Sequence, residues 1–292
     1  METSSDDDGD AAAARLLLIA LCLCFSFPPR SEKPAVRQSA PPLSGTNRPA
    51  PKEAPRKKHK SSARKKLYLT FDDGPNRGTA NVLRIISDEQ VPVTFFIVGE
   101  HVFDSRGQRA LFDSLKASAW VAVCNHSFSH ARGRYSNYYE DPEAVVDDFS
   151  RTRDTLSLDN TIARTPGRNI WRVDSLKFTD LRASARAADS LQKAGFVLMG
   201  WDAEWHFDHK TFNVLQDAGT LLRQIDSVFA KRKTKHPDHL VLLAHDQAFV
   251  QSCDSLQLRL FLQELKKRDD LELVLATEYP GIGKTDSLMA WR

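Results

Sequence analysis

The chain has 292 residues, 41% apolar and 27% charged, a globular composition that excludes a collagen-like or wholly disordered protein. Its 41 Lys and Arg against 38 Asp and Glu leave a formal charge of +3, too slight for a strongly basic nucleic-acid binder, so no nucleic-acid partner is expected. The charge is uneven: residues 1–15 carry −4, residues 30–66 carry +10, and residues 67–292 carry −3.

Taken from the N-terminus, the run LLLIALCLCFSF over 16–27 is shorter than the ~20 residues of an ordinary spanning helix. It reads as the apolar core of a secretion signal within residues 1–29, preceded by Arg15 but also by an acidic stretch. A secreted or envelope-associated protein is therefore expected. Cys22 and Cys24 each follow a Leu, which disfavours lipid attachment there. Residues 30–66 are rich in Pro, Ser, Lys and Arg with few large apolar side chains, the composition of a disordered linker. Its basic run RKKHKSSARKK suits peripheral contact with an anionic envelope, or simply a solvated tether.

From Leu67, short apolar runs alternate with amphipathic stretches. Strands are predicted at 67–71, 93–98, 120–124, 196–201, 240–244 and 271–276, with a weaker one near 161–164. Helices are predicted near 79–89, 106–117, 142–157, 177–194, 218–232 and 255–268. The third opens with Asp141-Pro142-Glu143, which combines a capping oxygen, a preset φ and an early acid. This alternation predicts an α/β fold, a distorted (β/α) barrel with about seven parallel strands over residues 67–280, followed by a tail at 281–292. Only Cys124 and Cys253 fall inside it, so no disulfide framework is implied, and Cys124 reads as a buried thiol.

In such barrels the functional groups sit where strands end. The polar residues there form a chemically sensible set: Asp72-Asp73, Asn125-His126, Arg164, Asp202 and His245-Asp246. His126 and His130 are four apart in NHSFSH. One helical turn would let both imidazoles reach one cation, although the spacing alone is weak evidence. Asp72 and Asp73 adjoin inside TFDDGP, and neighbouring carboxylates repel unless a cation or base is near. The Gly-Pro turn would aim them differently, one toward a metal and one free as a base. An aspartyl-phosphate phosphatase would separate its two acids by one residue, and here they touch. Two His and one Asp, with water completing the shell, make an open zinc-type site suited to metal-assisted hydrolysis.

TFDDGP, NHSFSH, RTPG, WDAEW and LLAH, in this order between residues 70 and 245, resemble the five motifs of the polysaccharide deacetylase (NodB-homology) family of carbohydrate esterases. The resemblance implies Asp73, His126 and His130 as ligands of a divalent metal, Zn2+ first, with Co2+, Ni2+ or Mn2+ also suited to such ligands. It implies Asp72 as the base acting on metal-bound water and His245 as the acid that protonates the leaving amine. Arg164 would hold the base, and Asp202 would set the charge state of His245. The N–H of Gly167 would hold the oxyanion, and Leu243 with Trp205 would wall the acetyl methyl. The implied substrate is an acetylated glycan polymer, cut at N-acetyl or O-acetyl groups by a monomer.

The chain departs from the family pattern at Gly167, where an aromatic usually follows the proline. Its fourth motif is one residue short, which leaves Trp201 as the rival of Trp205. The runs GRNIWR and HFDHK are unusual and point to a divergent branch. Tyr135, Tyr138 and Tyr139 follow the metal motif and suit either sugar stacking or simple packing. Two other classes of function stay open on sequence: a silent carbohydrate-binding protein on the same fold, and an amidohydrolase of small non-sugar amides.

Overall fold

The computed structural model describes residues 64–283. The expected signal segment, most of the linker and the tail from 284 lie outside the described residues. Ten strands are present among them: β1 (Lys65–Gly74), β2 (Val93–Ile97), β3 (Val121–Asn125), β4 (Ile162–Ala163), β5 (Ile170–Val173), β6 (Leu176–Thr179), β7 (Val197–Leu198), β8 (Ala203–Glu204), β9 (His239–His245) and β10 (Leu271–Leu273). Helices α1 (Arg77–Glu89), α2 (Arg106–Ala117), α3 (Tyr135–Tyr138), α4 (Pro142–Leu156), α5 (Ala185–Lys193), α6 (Ala218–Ala230) and α7 (Ser252–Lys266) alternate with them.

The strands form one curled sheet in the order β6-β5-β7-β4-β3-β2-β1-β9-β8, with β10 on the first half of β1. All pairings are parallel except β5 with β6 and β5 with β7. The distorted α/β barrel expected from the strand–helix alternation is thus observed, with additions. The antiparallel hairpin β5–β6 replaces the start of the helix predicted at 177–194, and α5 begins only at Ala185. Lys65 and Lys66, read from composition as linker, already belong to β1. Their backbone pairs with Leu271 and Glu272, and Lys66 Nζ donates to Glu272 Oε2 at 2.7 Å.

Several helix starts follow from their first residues. Asn76, Ser105, Asp141 and Asp217 each accept a backbone N–H of the helix they open, which satisfies a donor that lacks an intrahelical partner. Cys124 is buried and Cys253 exposed, and both are free thiols; burial pushes the Cys124 thiol up to about 12. No helix among the described residues is long and apolar enough to cross a membrane.

Side-chain alternation along β1 positions the site. Leu67, Leu69 and Phe71 share one core with Val82, Ile85, Leu258 and Phe261 of α1 and α7. Tyr68, Thr70 and Asp72 therefore face the other side of the sheet. Strand β9 repeats the pattern: Leu240, Leu242 and Ala244 join the helix-side core, and Val241, Leu243 and His245 face with Tyr68, Thr70 and Asp72, their partners in register. The row Tyr68/Val241, Thr70/Leu243, Asp72/His245 climbs from an apolar floor to a polar rim.

Candidate functional site

At the top of β1 the register against β2 shifts between Asp72 and Gly74, so Asp73 is an extra residue in the ladder. Its φ of 77° is left-handed, a conformation Asp tolerates better than most L residues. This bulge resolves the repulsion of two adjacent carboxylates, because it turns Asp73 away from Asp72.

Asp72 is 3% exposed and accepts from Arg164 Nη1 at 2.8 Å on Oδ1. The guanidinium is fully buried and makes four hydrogen bonds: Nη1 also donates to Thr70 Oγ1, and Nε and Nη2 donate to the carbonyls of Met199 and Gly200. Phe96 packs beneath it at 4.0 Å.

Asp73 turns to the histidines. Its Oδ1 lies 3.4 Å from His126 Nε2 and 3.0 Å from His130 Nε2. His126 Nδ1 lies 2.9 Å from the carbonyl oxygen of Arg164. A carbonyl can only accept, so Nδ1 carries the proton and a neutral His126 presents its Nε2 lone pair to Asp73. Oδ1 is buried with no hydrogen-bond partner. A lone pair facing a carboxylate oxygen in a dry site is repulsive unless a cation or a proton stands between them. One ligand atom from each of Asp73, His126 and His130 lies within 4.8 Å of the others. The orphaned oxygen and the N,N,O donor set fit a divalent ion such as Zn2+.

Burial opposes charge on both partners. Even so, the adjacent imidazoles of His126 and His130 hold Asp73 well below the usual carboxylate range. Burial likewise lowers His126, but Asp72 and Asp73 outweigh it and raise the imidazole.

The cleft above these groups has a volume of about 500 Å3 and is lined by Asp72, Asp73, His126, His130, Gly167, Leu243 and His245. Eight of the ten residues expected to form the site therefore meet: these seven and, beneath them, Arg164 against Asp72. Trp205 and Asp202 do not. Trp205 is 1% exposed, packs on Phe249 and Phe261, and donates Nε1–H to the carbonyl of Gln216; it is a core residue. The cleft is lined instead by Trp201 and Phe207, and by Tyr135 from outside the motifs, and the Phe207 ring lies 5.0 Å from that of His245. Phe207 stands in the HFDHK run whose divergence was visible in sequence.

Asp202 is corrected as well. Its Oδ1 accepts the N–H of Lys235 at 2.8 Å and its Oδ2 that of Val241 at 2.9 Å. Val241 precedes His245 by four strand residues, about 13 Å down β9. His245 Nδ1 is buried without a hydrogen-bond partner, so Asp202 does not pair with it. Burial raises Asp202 to about 6. The acid that lines the cleft from the fourth motif is Glu204, beside Leu243 in register.

Sequence reading also missed His101, whose Nδ1 lies 2.8 Å from the Asp73 carbonyl, and Gln247, whose Nε2 reaches Asp73 Oδ2 at 3.4 Å. Neither lies in a motif. Asp246, singled out only as a neighbour of His245, is fully buried and raised to about 7, chiefly by burial. Its carboxyl accepts from Asn76 Nδ2 and Thr79 Oγ1, which ties the turn after Asp73 to the end of β9.

Residues 59–169 match the family model described as Polysaccharide deacetylase. A chitooligosaccharide deacetylase of Rhizobium leguminosarum bv. phaseoli is 40% identical over 70 residues, 24% of this chain and 29% of that protein. A chitin disaccharide deacetylase of Vibrio alginolyticus is 25% identical over 227 residues, 55% of this chain and 53% of that one. The chain thus spans from under a third to about half of these relatives. Among solved structures, a family 4 carbohydrate esterase from Streptomyces lividans in complex with acetate superposes with a TM-score of 0.53 at 17% identity, over 74% of this chain and 95% of that one. A CE4 esterase of Streptococcus mutans gives 0.54 at 23%, over 72% and 86%. At these identities the structural likeness establishes the fold.

Proposed function

We propose that this chain, which belongs to the polysaccharide deacetylase family through its 59–169 segment, is a metal-dependent hydrolase that removes N-acetyl groups from a carbohydrate polymer. The observation that carries this reading is the divergence of the paired acids. Asp73 faces two imidazole nitrogens with an unpartnered oxygen, and Asp72 is held separately by Arg164.

Asp73, His126 and His130 would hold the ion, which polarises the acetyl carbonyl and acidifies the attacking water. Zn2+ is the first candidate, and Co2+, Ni2+ and Mn2+ suit the same donors. With Oδ1 tied to Arg164, Asp72 keeps Oδ2 to take a proton from the water. His245 delivers a proton to the departing sugar nitrogen, so that C–N cleavage releases a neutral amine and acetate. The Gly167 N–H donates to the oxyanion, an interaction typically worth about 3 kcal/mol of barrier. Leu243, with Trp201 and Phe207, encloses the methyl. O-acetyl groups fit the same chemistry with an alcohol leaving.

The relatives named for chitooligosaccharides and chitin disaccharide support an acetylated glycan as substrate. Export by residues 1–29, with 30–66 as a basic tether near an anionic envelope and a monomeric enzyme, completes the proposal. Acetate release across a panel of acetylated glycans, with and without chelator, tests it. Chelation should abolish release and added Zn2+ restore it. Asp72→Asn should keep metal content and lose most turnover; unchanged turnover would refute the base assignment.

A further inference from the structure

We propose that Tyr135 is a specificity-determining residue, its ring forming the wall against which the sugar packs where Gly167 leaves the cleft open. The inference rests on the glycan reading above and names a contact that reading does not supply.

The backbone brings Tyr135 there by a costly route. His130, Ala131 and Arg132 have φ of 48°, 55° and 47°, and Gly133 follows at 69°. Consecutive left-handed L residues are unfavourable and persist only where surrounding structure enforces them. The bonds Arg132 N–H to Ser129 O and Arg134 N–H to Ala131 O, both 2.8 Å, close this reversal. Tyr135 is the next residue, and it lines the cleft together with Gly167.

The ring is seated on Gly167. A Cβ there would lie 3.1–3.3 Å from three ring atoms of Tyr135, and Gly167 has a φ of 63°. Any side chain at 167 would displace the ring and strain the backbone. The ring also stands edge-on to His130, with centroids 5.7 Å apart, and its hydroxyl lies 3.4 Å from His130 Nδ1. Contacts with Gly167 and His130 therefore hold the plane in place before any ligand arrives.

The two neighbouring tyrosines show what a packing role looks like. Tyr138 donates to Asp148 Oδ2 at 2.7 Å, and Tyr139 is 3% exposed with its hydroxyl on the Pro166 carbonyl at 2.7 Å. Tyr135 alone of the three lines the cleft. A half-buried, pre-positioned aromatic face beside a polar site matches the apolar C–H face of a pyranose ring.

The test compares Tyr135→Ala, Tyr135→Leu and Tyr135→Phe in the full chain. Acetate-release kinetics are measured on a β-1,4-linked N-acetylglucosamine tetramer, and calorimetric binding of that tetramer is measured in an Asp72→Asn background. Tyr135→Ala and Tyr135→Leu should raise KM and Kd about tenfold with kcat nearly unchanged, and Tyr135→Phe should stay close to wild type. Unchanged KM and Kd in an active enzyme overturn the inference and leave the hydrolase reading standing. A fall in kcat at constant KM also overturns it, because Tyr135 would then serve only to hold His130. Tyr135-dependent binding without acetate release sinks the hydrolase reading and keeps the inference. No binding by any variant overturns the inference.

Discussion

Arg164 Nη1 stands 2.8 Å from Asp72 Oδ1, with the two side chains 0% and 4% exposed. This is a buried ion pair whose cation also donates to Thr70 Oγ1 and to the carbonyls of Met199 and Gly200. Removing one member of such a pair strands the other charge. Arg164→Met should therefore lower stability by about 3–5 kcal/mol in urea unfolding and abolish most turnover in the folded fraction. A loss below about 1 kcal/mol would mean that water reaches the pair.

The raised His126 imidazole makes metal binding a competition with protons. An imidazole must be neutral to ligate, and Asp72 and Asp73 favour its charged form even against burial. Zn2+ affinity should thus fall as pH is lowered into the range where His126 is protonated, with a slope approaching about tenfold per unit for one displaced proton. Calorimetric titration of metal-free protein in two buffers of different ionisation enthalpy measures both affinity and proton release. Pairing His126→Ala with His130→Ala should eliminate the site.

Asp246 links pH to stability. Its carboxyl, ordinarily near 3.8, is raised to about 7 by burial. The folded state then binds the proton more tightly than the unfolded chain. The stability this contributes is full below about pH 4 and is lost as pH rises through about 7. Thermal unfolding should show wild type losing several degrees relative to Asp246→Asn between pH 5 and pH 8. Parallel pH profiles would show that Asp246 titrates normally.

Two tryptophans of the fourth motif should separate by phenotype. Trp205 is buried against Phe249 and Phe261, so Trp205→Ala should cost about 3–5 kcal/mol of stability, with KM of the folded enzyme little changed. Trp201 lines the cleft, so Trp201→Ala should raise KM with a smaller loss of melting temperature. Reversed phenotypes would reinstate Trp205 as the methyl wall.

The sequence by itself determined the alternation of β1–β4, β7, β9 and β10 with helices, because burial on both faces writes parallel strands and their flanks as apolar runs. It also placed Asp72, Asp73, His126, Arg164 and His245 at or just beyond the ends of their strands, and strand ends face one rim. Strand β8 is only the pair Ala203–Glu204, and the hairpin β5–β6 carries Arg172, Lys177 and Thr179, so neither forms an apolar run that could be read as a strand.

Tertiary structure alone decided how those side chains are used. The bulge at Asp73 separates two acids that look equivalent in TFDDGP. The pairing of Ala203 with Leu242 sinks Trp205 into the core and lowers Asp202 beside Val241. Tyr135 reaches Gly167 across 32 residues through a left-handed turn that no pattern announces. Residue types dictate which reactions are possible, but orientation depends on register, and a shift of one residue sends a side chain to the opposite face of the sheet.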